Sequence, residues 1–209
     1  MQANLRANLR GLYLVTPNWD DTDRLLDVTR QAMRAGFALL QYRHKDASPA
    51  LRQEQAQALL RLCREHDCPL VINDHVDLCM AIDADGVHVG GTDAAVATVR
   101  AALGGSKIVG ASCYGDFELA RTAEANGASY VAFGGFYPSL VKKYEVTTRP
   151  DIVARAKAEL QVPVVVIGGM TAANSKPLVA LGADMVAAIS SVYLAQDTRN
   201  AAQEFAALF

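Results

Sequence analysis

The sequence predicts a parallel (β/α)8 barrel, and three observations carry that expectation. Short apolar runs alternate with helical patterns eight times within 209 residues, near the lower size limit of such barrels. Those runs are continuous rather than alternating, as strands covered on both faces of a parallel sheet require. Gly36, Gly104, Gly127 and Gly182 stand where helical patterns stop, as left-handed caps before the next strand. An open doubly wound sheet shares the same alternation, and periodicity alone does not separate the two.

Taken in order, the apolar runs place strands at 11–16 (GLYLVT), 37–42 (FALLQY), 70–72, 86–89, 107–111, 129–133, 162–167 and 185–189. Helical patterns lie between them. The first covers 21–35 and stops at Gly36. Ser48 followed by Pro49 reads as an N-cap with proline at the first helical position, opening a helix to about 66. A short helix fits 77–82, and longer ones fit 116–125, 150–160, 171–181 and 199–208. No composition break or Pro/Ser-rich linker divides the chain, so residues 1–209 read as a single barrel domain, with 1–10 as an N-terminal extension.

Composition narrows the function. Hydrophobic residues make up 51% and charged residues 20%, enough for a substantial core. A net charge of −2 argues against a nucleic-acid binder or a basic membrane-surface protein. No apolar stretch approaches the roughly 18 residues of a membrane span. Nothing at the N-terminus has the form of a secretory signal. Cys63, Cys68, Cys79 and Cys113 show neither a C-x-x-C pair nor zinc spacing, and read as reduced thiols of a cytoplasmic protein. Cys113 reads as a small core residue rather than a nucleophile.

In a parallel barrel the chemistry gathers at the C-terminal ends of the strands. After the second strand, Gln41, Arg43 and Lys45 alternate with Tyr42 and His44, so an extended chain puts the three polar heads on one side. Two cations and an amide aimed together suit a polyphosphate; ordinary surface charges are the alternative. Asn73 and Asp74 follow the third strand, and Asp93 follows the fourth. Two carboxylates on neighbouring loops describe a Mg2+ site better than a zinc or calcium site, although either aspartate would also serve as a helix N-cap. Gly168 and Gly169 close the seventh strand and Ile189 and Ser190 the eighth, where barrels often bind phosphate on exposed backbone amides; a plain turn is the alternative. Residues 134–149 form the longest irregular stretch and hold Ser139, Lys142 and Lys143, a cationic loop beside the mouth. His88 reads as a buried, hydrogen-bonded imidazole. Trp19 is either a cap over a ring or an isolated surface aromatic.

These residues together resemble the thiamine-phosphate synthase family. The resemblance rests on Leu12-Tyr13-Leu14-Val15-Thr16, Gln41-Tyr42-Arg43-His44-Lys45, Ile72-Asn73-Asp74, the Gly86–Asp93 segment, Gly110-Ala111-Ser112, Ile167-Gly168-Gly169 and Ile189-Ser190, and runs from about residue 11 to 195. It implies a barrel that joins a hydroxymethylpyrimidine pyrophosphate to a hydroxyethylthiazole phosphate, releasing pyrophosphate through a dissociative, Mg2+-assisted step. By position, Gln41, Arg43, Lys45 and Asn73 would hold the pyrimidine pyrophosphate, with Ser112 on the ring or the pyrophosphate. Asp74 and Asp93 would bind Mg2+. Ser139 and Lys142 belong to the lid loop, Lys142 facing the departing pyrophosphate beside Arg43 and Lys45. Gly168, Gly169, Ile189 and Ser190 would hold the thiazole phosphate. The partners implied are these small molecules alone, and a homo-oligomer is compatible with them. Two rival readings are a thiazole tautomerase and an inactive barrel that binds thiamine precursors. The tautomerases use a histidine near the end of strand five, where this chain has Ser112-Cys113-Tyr114.

Three positions depart from the family pattern. Gly91 stands where glutamine is usual, and His75 where arginine is common. In the lid segment Ser139-Leu140-Val141-Lys142, Val141 replaces a hydroxyl residue that would donate to the pyrophosphate. One such hydrogen bond is worth about 0.5–1.5 kcal/mol. Val141→Thr is therefore expected to raise turnover roughly two- to tenfold in a steady-state assay, and unchanged or lower turnover would count against the assigned role of the loop.

Overall fold

Eight short strands pair in parallel and close on themselves in chain order: β1 (Gly11–Val15), β2 (Leu39–Tyr42), β3 (Leu70–Asn73), β4 (Gly86–Gly90), β5 (Ile108–Tyr114), β6 (Tyr130–Gly134), β7 (Val164–Ile167) and β8 (Met185–Ala188). The computed structural model describes residues 9–90, 93–138 and 147–209, apart from the side chains of residues 93 and 94. Closure comes from β1 pairing with β8, Gly11 opposite Met185 and Leu14 opposite Ala188. That pairing decides between the two architectures that periodicity left open. The strands β1 to β8 form a (β/α)8 barrel.

Period-two alternation then sorts the strand residues into two clusters. Tyr13, Val15, Leu39, Val71, Ile108, Tyr130, Ala132, Val165, Met185 and Ala187 fill the barrel interior. Leu12, Leu14, Leu40, Ile72, Val87, Val109, Val131, Val166 and Val186 point outward, into the layer shared with the helices. The helices among the described residues are α1 (Thr22–Met33), α2 (Pro49–Glu65), α3 (Val76–Ile82), α4 (Asp93–Leu103), α5 (Phe117–Ala125), α6 (Asp151–Glu159), α7 (Ala172–Ala180), α8 (Ser190–Tyr193) and α9 (Thr198–Ala206). None is long and apolar enough to cross a membrane.

Local chemistry fixes where the helices begin and end. Asp21 accepts from the Arg24 amide, Ser48 from Leu51, Asp116 from Glu118 and Leu119, and Asp197 from Asn200. Thr171 and Asn174 complete a reciprocal capping box. Each cap is worth about 1 kcal/mol, and together they hold the loops that follow the strands. At the opposite face the expected glycines end the helices, with φ of +80° at Gly36, +71° at Gly104, +92° at Gly127 and +108° at Gly182. Carboxylates anchor the strand entries there: Asp85 accepts from the Leu70 amide, and Asp184 from the Val164 amide and the Lys157 ammonium.

Besides helix α4, which the sequence reading did not bound, and later starts of β2 and β7, two features differ from that reading. Strand β5 runs to Tyr114, three residues past the expected end, and its register with β6 shifts between Ser112 and Tyr114. The extra length exists because Ala111 and Cys113 bury on the helix side while Ser112 stays on the inner face. The short helix α8 after β8 has no hydrophobic period long enough to announce it.

Inside the barrel, space is scarce. A Cβ on Gly110 would lie 2.1 Å from Cζ and 2.2 Å from the hydroxyl of Tyr130, so the missing side chain of β5 is the slot for a phenol from β6. Overpacking a closed core costs about 1–3 kcal/mol. Gly110→Ala should therefore lower the urea unfolding free energy by at least that amount. Gly90→Ala, where a Cβ would meet nothing within 4 Å, should leave it within about 0.5 kcal/mol, as surface changes usually do.

Candidate active site

The inner, upper ends of β1 to β5 and the last residues of β6 to β8 enclose a cavity of about 100 Å3. Gln41, Arg43, Lys45, Asn73, Asp74, Ser112 and Ile189 all line it. Gly168, Gly169 and Ser190 do not. Ser139 and Lys142 lie outside the described residues, as do Val141 and Lys143. Asp93 opens α4, and its side chain lies outside the description.

The alternation at β2 works as the residue order demands. Tyr42 turns outward and its hydroxyl donates to Gln55 Oε1 of α2 at 3.0 Å. His44 also turns outward, its Nε2 3.0 Å from Asp20 Oδ1. Gln41, Arg43 and Lys45 face the cavity. Buried Thr16 clamps this segment across β1. Its Oγ1 donates to the Arg43 carbonyl at 3.1 Å and accepts from the Arg43 amide at 2.8 Å. Arg43 is only 7% exposed. A guanidinium stays charged at any working pH, so a largely buried one favours an anion beside it.

Asp74 follows the last residue of β3 with φ +62°, a left-handed conformation that aspartate tolerates better than most residues. Its amide donates to the His88 carbonyl of β4 at 2.9 Å, and its Oδ2 accepts from Asn73 Nδ2 at 2.6 Å. The carboxylate is thereby oriented on the cavity wall. A hard divalent cation that keeps most of its water needs one or two such carboxylates and substrate phosphates. The donor set fits that requirement: Asp74 is an oxygen donor beside two cation-bearing residues. Among the described residues no group of three or more His, Cys, Asp or Glu side chains forms a closed metal cage.

The floor of the cavity is polar and hydrogen-bonded. Gln41 Nε2 lies 2.5 Å from the Tyr13 hydroxyl, which lies 2.6 Å from the Tyr130 hydroxyl. His88 bridges onward, Nδ1 to the Tyr130 hydroxyl at 2.9 Å and Nε2 to Ser112 Oγ at 2.8 Å. Burial holds both phenols well above the ordinary tyrosine range. His88 is buried and hydrogen-bonded, as its place in an apolar run suggests. Sequence reasoning missed Tyr13 and Tyr130. Their signal was parity alone: Tyr13 is two residues before the inward Val15, and Tyr130 two before the inward Ala132. The remaining wall, from Val165, Ile167, Ala187 and Ile189, is apolar.

Gly168 and Gly169 take φ of +107° and +63°. The space their missing side chains leave is next to the chain after β6: a Cβ on Gly169 would sit 2.2 Å from the Pro138 carbonyl oxygen. The Thr147 and Thr148 amides both donate to the Gly135 carbonyl at 3.2 Å. Trp19 lies away from the cavity, edge-on to Tyr193 with centroids 5.5 Å apart and under the Arg24 guanidinium at 3.9 Å. Cys113 faces the helix layer, and burial pushes its thiol up to about 12, which suits a core residue and not a nucleophile.

Comparison with known proteins places this geometry. Residues 12–192 match the family model described as thiamine monophosphate synthase. The thiamine-phosphate synthase of Janthinobacterium sp. (strain Marseille) is 65% identical over 205 residues, covering 98% of this chain and 99% of that protein. The thiamine-phosphate synthase of Methylobacillus flagellatus is 46% identical over 202 residues, covering 96% of each. Among solved structures, thiamine phosphate pyrophosphorylase from Pyrococcus furiosus superposes with a TM-score of 0.81 at 30% identity, covering 96% of each chain. A 3-hexulose-6-phosphate synthase shares the fold, with a TM-score of 0.70 at 20% identity over 95% of this chain and 99% of the other. With a match from the first strand to the helix after the eighth, the chain belongs to the thiamine monophosphate synthase family.

Proposed function

We propose that this barrel is a thiamine phosphate synthase: it joins a hydroxymethylpyrimidine pyrophosphate to a hydroxyethylthiazole phosphate, forming thiamine phosphate and releasing pyrophosphate. The observation that carries the reading is the meeting of Gln41, Arg43, Lys45, Asn73, Asp74 and Ser112 at one cavity, in a chain whose family match spans every barrel strand.

The division of the cavity suits the reaction. Arg43 and Lys45 stand where a pyrophosphate leaving group would gather negative charge, and Asn73 adds an amide donor beside them. Lys142 and Ser139, from the loop that the family resemblance assigns to the lid, would add to this binding. Asp74 and Asp93 would hold Mg2+, which when bound neutralises phosphate charge and so makes pyrophosphate a better leaving group. The C–O bond breaks as the pyrophosphate departs, and the thiazole nitrogen attacks the electron-poor pyrimidine methylene. Neither event demands a protein base. The protein contributes charge complementarity to the leaving group and alignment of two rings. The apolar wall from Ile167, Ala187 and Ile189 excludes water from the developing cation, and Gly168, Gly169, Ile189 and Ser190 would hold the thiazole phosphate near the ends of β7 and β8.

The decisive measurement is pyrophosphate release by the purified protein supplied with both precursors, first with Mg2+ and then with EDTA. Release that needs both substrates and the metal, with thiamine phosphate formed in equal amount, is the expected result. Release without the thiazole phosphate, or none while the thiazole phosphate still binds in a calorimeter, would overturn the reading in favour of a hydrolase or an inactive binder. Asp74→Asn should keep the fold and lower turnover about 100-fold at fixed Mg2+, partly restored by raising the metal concentration. Full activity in that variant would remove Asp74 from the metal site.

A further inference from the structure

We propose that a directed chain of hydrogen bonds, running from Gln41 through Tyr13, Tyr130 and His88, fixes Ser112 as a hydroxyl donor toward the pyrimidine ring and makes the two tyrosines and the histidine positioning residues for that substrate. The identity of the ring rests on the function proposed above; the direction of the chain does not.

The direction follows from counting hydrogens. Gln41 Nε2 can only donate, and it lies 2.5 Å from the Tyr13 hydroxyl. The Tyr13 oxygen therefore accepts, and its single hydrogen goes to the Tyr130 oxygen 2.6 Å away. Tyr130 accepts in turn, so its own hydrogen is directed to His88 Nδ1 at 2.9 Å. That nitrogen must be bare. A proton there would leave the Tyr130 hydrogen without an acceptor in a fully buried place. In its neutral form His88 then carries its proton on Nε2 and donates it to Ser112 Oγ at 2.8 Å. Ser112 has accepted, and its own hydrogen is the one left to give. It lines the cavity, as does Gln41 at the other end.

Both phenols stay protonated because burial disfavours their anions, so each link has one hydrogen to pass. The geometry is held by packing as well as by hydrogen bonds. The His88 ring stacks on Tyr130 at an interplanar angle of 18°, and Tyr13 meets Tyr130 edge-on at 84°. Gly110 leaves the slot that Tyr130 occupies. In such a low-dielectric interior, a link pointing the wrong way leaves a polar group unpaired, and the whole sequence of donors is fixed together. An aminopyrimidine offers ring nitrogens as acceptors and an exocyclic amine as donor. A Ser112 hydroxyl hydrogen and the Gln41 carbonyl oxygen are complementary to that pair.

The test has a spectroscopic arm and a kinetic arm. In the full-length protein with 15N-labelled imidazoles, at pH 8 and without substrate, His88 is identified by the signals lost in His88→Gln. It is expected to show a bare Nδ1 and a protonated Nε2. In Tyr130→Phe the two tautomers should mix, and Tyr13→Phe, one link earlier, serves if that variant does not fold. A protonated Nδ1 in the wild-type protein would overturn the chain. In the kinetic arm, Tyr130→Phe and Ser112→Ala should each raise KM for the pyrimidine pyrophosphate about tenfold, with KM for the thiazole phosphate within about twofold, and the double variant should be no worse than the poorer single one. Multiplying effects, or equal losses for both substrates, would reduce Tyr130 to a packing residue. A wild-type protein that forms no thiamine phosphate would defeat the proposed function, while the tautomer measurement would still decide the chain.

Discussion

A closed parallel sheet gives every inward side chain the same destination, and this constraint organises the rest of the molecule. Once β1 pairs with β8, alternate residues of all eight strands must share one narrow interior. At the lower levels that interior is filled by Leu39, Val71, Ile108 and Met185. At the upper level the same parity brings Gln41, Asn73, His88 and Ser112 together from four consecutive strands. No loop has to be long for these groups to meet. The N-caps on Asp21, Ser48, Asp116, Thr171 and Asp197 then hold the following helices, so the upper rim is fixed by hydrogen bonds as well as by strand pairing.

The outward face obeys an equally simple rule, and this is where the sequence was most legible. Continuous apolar runs mean burial on both faces, and left-handed glycines mean helix ends. Both statements need only the nearest few residues. The split of Gln41, Arg43 and Lys45 from Tyr42 and His44 was legible for the same reason, since an extended chain leaves no other choice. Ser112 was harder. Its strand continues because Ala111 and Cys113 bury outward on either side of it, and apolar neighbours of that size do not announce a strand. Tyr13 and Tyr130 were invisible because a buried tyrosine in an apolar run looks like packing. What makes them part of the site is a partner 117 residues away, and no local pattern carries that.

Charge is arranged as unevenly as burial. Cations follow β2 and a carboxylate follows β3, while β7 and β8 present valine, isoleucine and alanine to the same cavity. A polyanion and a ring system brought together there would be sorted by this asymmetry before any specific contact formed, because phosphate gains from Arg43 and Lys45 while ring carbon gains from the apolar wall. The clamp of Thr16 on the Arg43 backbone keeps the cationic side from collapsing onto the apolar one. Flexible side chains of this length lose considerable rotamer freedom on ordering, so a backbone already held in place lowers that cost at the moment of binding.

The hydrogen-bonded floor between these two walls poses its own energetic problem. Tyr13, Gln41, His88 and Tyr130 are buried and Ser112 is half-buried, and a buried polar group left unpaired costs about 1–3 kcal/mol. The interior below them is hydrocarbon, and the five hydrogen-bond to one another. A chain is the arrangement that achieves this with few residues, because a hydroxyl both accepts and donates and so passes the requirement to its neighbour. Such a chain must end somewhere, and it ends at Gln41 and Ser112, both on the cavity wall. The unpaired capacity that packing cannot absorb is therefore delivered to the one place where a ligand supplies complementary groups. A polar network that would be a liability in a sealed core becomes, at the mouth of a barrel, the feature that selects what binds.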